Sequence, residues 1–525
     1  MASTALENQL ETLPESPCSE ELSSSAEATK TSYRQILHSS ALIGGSQVLN
    51  IFLNMFRSKV MALLLGPGGF GLASLYNSIV ELSQNIAGIG VNSSGVRQIA
   101  EAVGSADDQR VALSVAVLRR TSITLGAIGS LLLVLLRKQI SSLTFGSDKY
   151  AWAVSLLSIA VFCKLVAGGQ SALIQGTRRI RDLAKINVLG ALFGAIAGIA
   201  LIYAFRESGI VPYVIAGAAT AVLTSWWYSR KVKIKVPRVS ATQVIHEANA
   251  LLKLGFAFMI SSLMTLGVAY AIRVIVLRKL GLHATGLYQS AWTLGGMYVG
   301  FILQAMAADF YPRLTANVND HVTCNRLVNE QARVGLLLAA PGVIATLTFA
   351  HAVVSLLYSA KFVAAVPVLQ WICLGALLQV ISFPMGFIIV AKGKQNLFIF
   401  SEVSWAVASL ALAWPCITRF GVTGAGICFC ASYVFHVLFT YVLVSRLTGF
   451  SWSSQNLRIG IPFLLVVIAA FWSNYALRPE LAIPVGTLGF LATGIYSIRH
   501  LLSVVSPEVI PSQVRRLLMI ASPQA

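Results

Sequence analysis

The sequence predicts an all-α polytopic membrane protein: two parallel six-helix lobes around a central cavity plus an appended helix pair, about 14 transmembrane helices in all. Three observations carry this. The 525 residues are 56% hydrophobic and only 11% charged, with a mean hydropathy of +0.74, which is more apolar surface than a soluble core hides. The apolar residues gather in runs near the roughly 20 that a bilayer crossing takes. A short pattern then recurs about 215 residues downstream, as a duplicated half requires.

The chain opens on a Ser- and Glu-rich stretch containing Glu7, Glu11, Glu15, Glu20, Glu21 and Glu27. It lacks the basic start and apolar run of a signal peptide, so residues 1–33 read as a disordered acidic cytoplasmic tail. The N-terminal lobe, residues 34–230, holds spans near 36–65, 71–96, 114–136, 151–174, 186–205 and 211–228. Residues 231–253 form a basic cytoplasmic linker, continuing a run of Lys and Arg from Arg230 to Arg238 that suits anionic lipid. The C-terminal lobe, residues 254–446, holds spans near 254–277, 287–311, 335–352, 366–390, 398–417 and 424–444. Residues 447–525 carry the appended pair, near 459–477 and 481–502, and a cytoplasmic tail. With both termini cytoplasmic, about 26 of the 39 Lys and Arg fall on that side, and the opposite orientation is disfavoured.

The duplication is written in the turns. Leu65-Gly66 through Gly71-Leu72 links the first two spans, and Leu280-Gly281 through Gly286-Leu287 links the seventh and eighth, each reading Leu-Gly-x-x-x-x-Gly-Leu. Gly176 and Gly393 form a further pair, about 217 residues apart. Six is an even number of crossings, so the halves start on the same side and are parallel repeats.

Charges recur at membrane depth, where they are costly unless helices enclose a polar cavity. Arg57 lies nine residues before Gly66 and Arg273 eight before Gly281. Gln47, Asn50, Asn54 and Arg57 step by three and four along one helix face; Asn77, Glu81, Gln84 and Gly88 do so in the second span. Gln289, Thr293, Gly296, Gly300 and Gln304 repeat the stripe in the eighth. Arg57, Lys59, Lys164, Arg273, Asn50, Asn54 and Gln304 are thus the expected substrate-binding wall. Glu81, Glu402 and Asp309 are the candidates for ion coupling, although a static pair of Arg57 with Glu81 would equally pin two helices. His351 and His436 read as structural.

A cavity with an excess of Arg and Lys favours an anion, and the planar donor pair of arginine suits a diphosphate. A drug-extruding antiporter calls instead for an acidic wall. The seven Cys, mostly inside spans, lack metal-ligand spacing, so no metal or cofactor is expected. A formal charge of +19 raises nucleic-acid binding as an alternative, but no basic soluble domain is there to do it. Short outside loops argue against a glycan polymerase or ligase, and no Walker glycine loop is present.

The stretch from Lys361-Phe362 to Gln370-Trp371, then Gly386 to Lys392 and Phe400-Ser-Glu402-Val-Ser404, resembles the Wzx-type O-antigen and enterobacterial common antigen translocases. These are the polysaccharide transport branch of the multidrug/oligosaccharidyl-lipid/polysaccharide flippase superfamily. The Leu-Gly-Pro-x-x-Phe-Gly-Leu turn is similar too. The resemblance implies a non-enzymatic flippase of the bacterial inner membrane. Its substrate would be a polyprenyl-diphosphate-linked oligosaccharide for O-antigen, lipopolysaccharide or other surface polysaccharide, moved to the periplasmic leaflet by alternating access. It also implies a coupling cation, proton or sodium, and glycan polymerase and chain-length proteins as partners. A cation-coupled multidrug exporter of the same superfamily is the alternative.

Overall fold

The computed structural model describes residues 17–105, 107–232 and 241–504. Among them the chain is helical throughout, with short connections. The first half comprises α1 (Pro17–Gly88), α2 (Val91–Gly104), α3 (Asp108–Leu135), α4 (Arg137–Phe145), α5 (Ala151–Gly176), α6 (Ile180–Phe205) and α7 (Ile210–Ser229). The second comprises α8 (Ala241–Ala316), α9 (His321–Thr348), α10 (Ala350–Leu357), α11 (Val366–Ala391), α12 (Gln395–Phe420) and α13 (Thr423–Thr448). The appended pair is α14 (Ser454–Ala476) and α15 (Pro479–Val504).

Among the described residues ten helical stretches are long and apolar enough to cross a membrane, or eleven with a bent pair within α8. Three of these are of double length: 44–88, 180–229, and the bent pair spanning 247–304. At 1.5 Å per residue each is long enough for two crossings, which accounts for the fourteen expected. The breaks sit where the turn glycines are. Gly66 (φ 64°, ψ −173°) interrupts α1 and Gly281 (φ 84°, ψ 179°) interrupts α8, in backbone geometry that only glycine takes up without strain. Pro67 follows the first break, in the early turn of a helix where its missing N–H costs nothing.

The duplication extends to helix lengths and to several corners. α5 and α11 are both 26 residues long and 215 apart, α6 and α12 likewise, and α3 and α9 are both 28 residues long. Asp107 and Asp320 cap α3 and α9 identically, each carboxylate accepting from two backbone N–H groups at 2.9–3.1 Å, a contact worth about 1 kcal/mol. The expected pairing of Gly176 with Gly393 is corrected: Arg178 (φ 55°) occupies the left-handed position that Gly393 (φ 66°) holds in the other half. Arg206 (φ 53°, ψ −126°) and Gly421 (φ 61°, ψ −142°) form another such pair.

Packing follows the same plan. α5 lies on α7 in the first half as α11 lies on α13 in the second, while α1 and α8 meet along the seam between halves. α14 and α15 pack on α9 and on each other, outside this arrangement. Two expectations change at the ends of the first half. The helix α1 starts at Pro17, within the stretch expected to be disordered, and residues 1–16 lie outside the described residues. Within the expected linker, α8 has already begun at Ala241, and residues 233–240 lie outside the described residues.

Candidate functional site

A cavity of about 820 Å³ lies between the two halves. Its wall includes Asn54 and Arg57 from the first limb of α1, Asn77 and Glu81 from the second, Lys164 from α5, and Arg273, Gln289 and Thr293 from α8. Asn77 and Glu81 of the second-span stripe, and Gln289, Thr293 and Gly296 of the eighth-span stripe, therefore face inward. Among the described residues three cations meet one carboxylate on this wall, an excess of basic groups.

Each charged group is held differently. Arg273 Nε donates to Gln289 Oε1 at 2.8 Å, and Gln289 Nε2 in turn to Thr293 Oγ1 at 3.1 Å, so the eighth-span stripe orients the guanidinium. Arg57 lies over the Tyr213 ring at 5.7 Å, and its buried Nε has no hydrogen-bond partner. A donor left unsatisfied in this way is a place for a ligand oxygen. Lys164 lies within electrostatic reach of both Glu81 and Arg57. The static Arg57–Glu81 pair is not formed: among the described residues, no ion pair joins Glu81 to a cation.

The remaining expected residues lie elsewhere. Lys59 is not on the wall; its Nζ donates to the carbonyl oxygen of Leu356, at the end of α10, at 2.7 Å. Asn50 is half-buried one turn beyond Asn54, its Oδ1 unpartnered, and is not on the wall either. Gln304 is exposed near the far end of α8, away from the cavity. Glu402 is half-buried on α12, beside Tyr433 and off the wall. Asp309 is in α8, but its side chain lies outside the described residues. Sequence reasoning missed Asn187 and Tyr213. Their signal is a run of small residues: Gly190, Ala191 and Gly194 follow Asn187 on α6, and Gly217, Ala218 and Ala221 follow Tyr213 on α7, and all of them line the cavity.

The halves touch toward both ends of the cavity. At the turn end, Gly71 and Gly286 approach so closely that a Cβ on Gly286 would sit 1.8 Å from the Pro67 oxygen. Phe70 there packs edge-on to Tyr358 and Phe362, with ring centroids 5.4 and 5.8 Å apart. Arg278 of α8 donates to the carbonyls of Ser142, Leu143 and Thr144 at the end of α4, and the hydroxyls of Thr144 and Tyr270 lie 2.5 Å apart. At the opposite end Gly90 meets Gly255, where a Cβ on either would fall 2.1 Å from a backbone oxygen of the other side. The α14–α15 pair contributes nothing to the wall among the described residues.

Comparison with known proteins agrees with this architecture. Residues 60–367 match the polysaccharide biosynthesis protein family. Lipid III flippases of Escherichia coli (strain K12) and Shigella flexneri are each 22% identical over 401 residues, which is 74% of this chain and 93% of theirs. Among solved structures, the lipid II flippase MurJ in an inward closed conformation superposes with a TM-score of 0.68 at 14% identity, covering 88% of this chain and 99% of that one. An inward-facing multidrug resistance MATE transporter of the MOP superfamily gives 0.62 at 16% identity, covering 77% and 96%. These likenesses establish the fold.

Proposed function

The chain belongs to the polysaccharide biosynthesis protein family, and from that footing we propose that it flips a polyprenyl-diphosphate-linked oligosaccharide from the cytoplasmic to the periplasmic leaflet for O-antigen or other surface polysaccharide. Transport is by alternating access, with the two lobes rocking about the central cavity. One observation carries this reading: Arg57, Lys164 and Arg273 converge on a cavity whose lining, among the described residues, includes a single carboxylate, Glu81. Such a wall suits a diphosphate, with arginine supplying paired in-plane donors. The names of the relatives, lipid III flippases, point the same way.

The protein would sit in the inner membrane with both termini and the basic loop cytoplasmic, so the glycine-turn end is periplasmic. Glu81 is the nearest candidate for a coupling cation, proton or sodium; glycan polymerase and chain-length proteins would receive the flipped product. A multidrug exporter of the same fold is disfavoured by the sign of the wall, since a cationic drug needs carboxylates there. The test is genetic: Arg57→Ala or Arg273→Ala should abolish surface glycan at unchanged protein abundance, and Lys should rescue only in part. Full export by both alanine variants would remove the cavity from phosphate recognition.

A further inference from the structure

A second pocket, of about 290 Å³, opens between α3, α5 and α7, away from the central cavity. The two are back to back on α5. Lys164, Ala167 and Ser171 line the cavity, whereas Val166, Gly169 and Gln170 line the pocket, and at about 100° per residue these sets lie on opposite faces of the helix. The pocket therefore faces out of the lobe. Ile123 and Trp226 on its lining are 50% and 44% exposed, as residues at a lipid surface are.

Its chemistry is one-sided. Arg119 and Arg230 both line it, and among the described residues it contains no carboxylate. Among the described residues no ion pair reaches either arginine. Arg230 is stacked on Trp226, with its Cζ 4.4 Å from the ring centroid. Stacking occupies the guanidinium face and leaves the in-plane N–H groups for another partner. Gln170 has its amide oxygen tied to Ser225 Oγ at 2.6 Å, which leaves its amide nitrogen as a donor. Ser122, only 4% exposed, lines the same pocket with its hydroxyl unpartnered. Buried polar groups are seldom left this way without a ligand or ion to meet them.

We propose that this pocket binds the phosphodiester headgroup of an anionic phospholipid. Arg119 and Arg230 grip the phosphate, Gln170 and Ser122 supply further donors, and the glycerol lies against Ile123 and Trp226. A lipid source is favoured over a free anion because the rim is apolar and faces the bilayer. The run of Lys and Arg that continues from Arg230 would raise the local concentration of such lipids. One bound lipid would then tie α3, α5 and α7 together from outside.

Native mass spectrometry on the full-length protein provides the test. One phosphatidylglycerol should stay bound under conditions that strip phosphatidylcholine, and Arg119→Gln with Arg230→Gln should weaken its retention about tenfold or more. Arg119→Lys should fall between. Photo-crosslinking needs no variant: a diazirine-bearing phosphatidylglycerol should label the unaltered protein near Ile123 and Trp226. Equal retention by the double variant, or labelling elsewhere, overturns the proposal. So does displacement by millimolar inorganic phosphate, which would make the site one for soluble anions, or stronger competition by a polyprenyl phosphate, which would assign it to the carrier lipid.

Discussion

Lys59 of α1 donates to the carbonyl of Leu356 in the opposite half at 2.7 Å, and so caps the C-terminus of α10 across the seam. Arg278 of α8 makes the mirrored contact, donating to the last carbonyls of α4. α4 and α10 are themselves repeat partners, 213 residues apart. Each lobe thus sends one cation to the negative end of a short helix in the other, where unpaired carbonyls and the helix dipole both favour it.

These two latches should hold the turn end of the cavity shut. A charge-assisted hydrogen bond is worth about 1.5–3 kcal/mol, so Lys59→Met or Arg278→Gln should raise the population open at that end about tenfold or more. An impermeant thiol reagent applied from the turn side to a cysteine at Thr293 reads this population. Labelling that stays at the parent rate in both variants would show that the latches carry no part of the closure.

Gly286→Ala should open the same end further, because the new methyl would meet the Pro67 oxygen at 1.8 Å and backbone cannot yield as a side chain does. Gly267→Ala is the control, having nothing within 4 Å of the added carbon. The same labelling assay should separate the two by more than it separates Gly267→Ala from the parent. Equal rates would mean that the two glycine turns are not in contact.

Arg206 occupies a corner that its repeat partner fills with Gly421. Holding a side chain there costs on the order of 1–3 kcal/mol, partly offset by the chain entropy that glycine adds to the unfolded state. Arg206→Gly should therefore stabilise the protein, by about 1 kcal/mol, and raise its thermal unfolding midpoint in detergent. A lowered midpoint would count against the strain.

Glu81 is exposed to the cavity and unpaired among the described residues, so it is not needed to hold α1 against its neighbours. Glu81→Gln should leave folded protein at the parent level while blunting the response of transport to an imposed ion gradient. Protein loss in Glu81→Gln would restore a structural role; an undiminished gradient response would move the coupling site elsewhere, with Glu402 the next carboxylate to examine.

Much of this architecture is legible in the order of the residues. Apolar runs of bilayer length place the helices, and the Leu-Gly-x-x-x-x-Gly-Leu turns mark both breaks because glycine has a backbone reason to be there. The corners at Arg178 and Arg206 are hidden, since arginine announces no positive φ. Within the cavity, polar residues stepping by three and four residues identify Asn54, Arg57, Asn77, Glu81, Gln289 and Thr293. Lys59 is misplaced by proximity alone: two positions from Arg57 is about 200° around a helix, which turns it away from the wall. Tyr213 sits in an otherwise apolar run, and only the fold reveals that its ring lies under Arg57. Gln304 continues the stripe of the eighth span in sequence, but it lies about 16 Å of helix beyond Thr293, past the end of the cavity.

Recognition of a diphosphate by Arg57 and Arg273 together is the proposal on which the transport reading stands. Its most direct measurement is the rate at which purified protein, reconstituted in vesicles, moves a fluorescent polyprenyl-diphosphate-linked sugar, compared with the monophosphate-linked analogue. The parent should move the diphosphate at least tenfold faster, and Arg57→Ala and Arg273→Ala should each lose most of that preference. Equal rates for the two lipids in the parent, or a preference that survives both substitutions, would contradict the account.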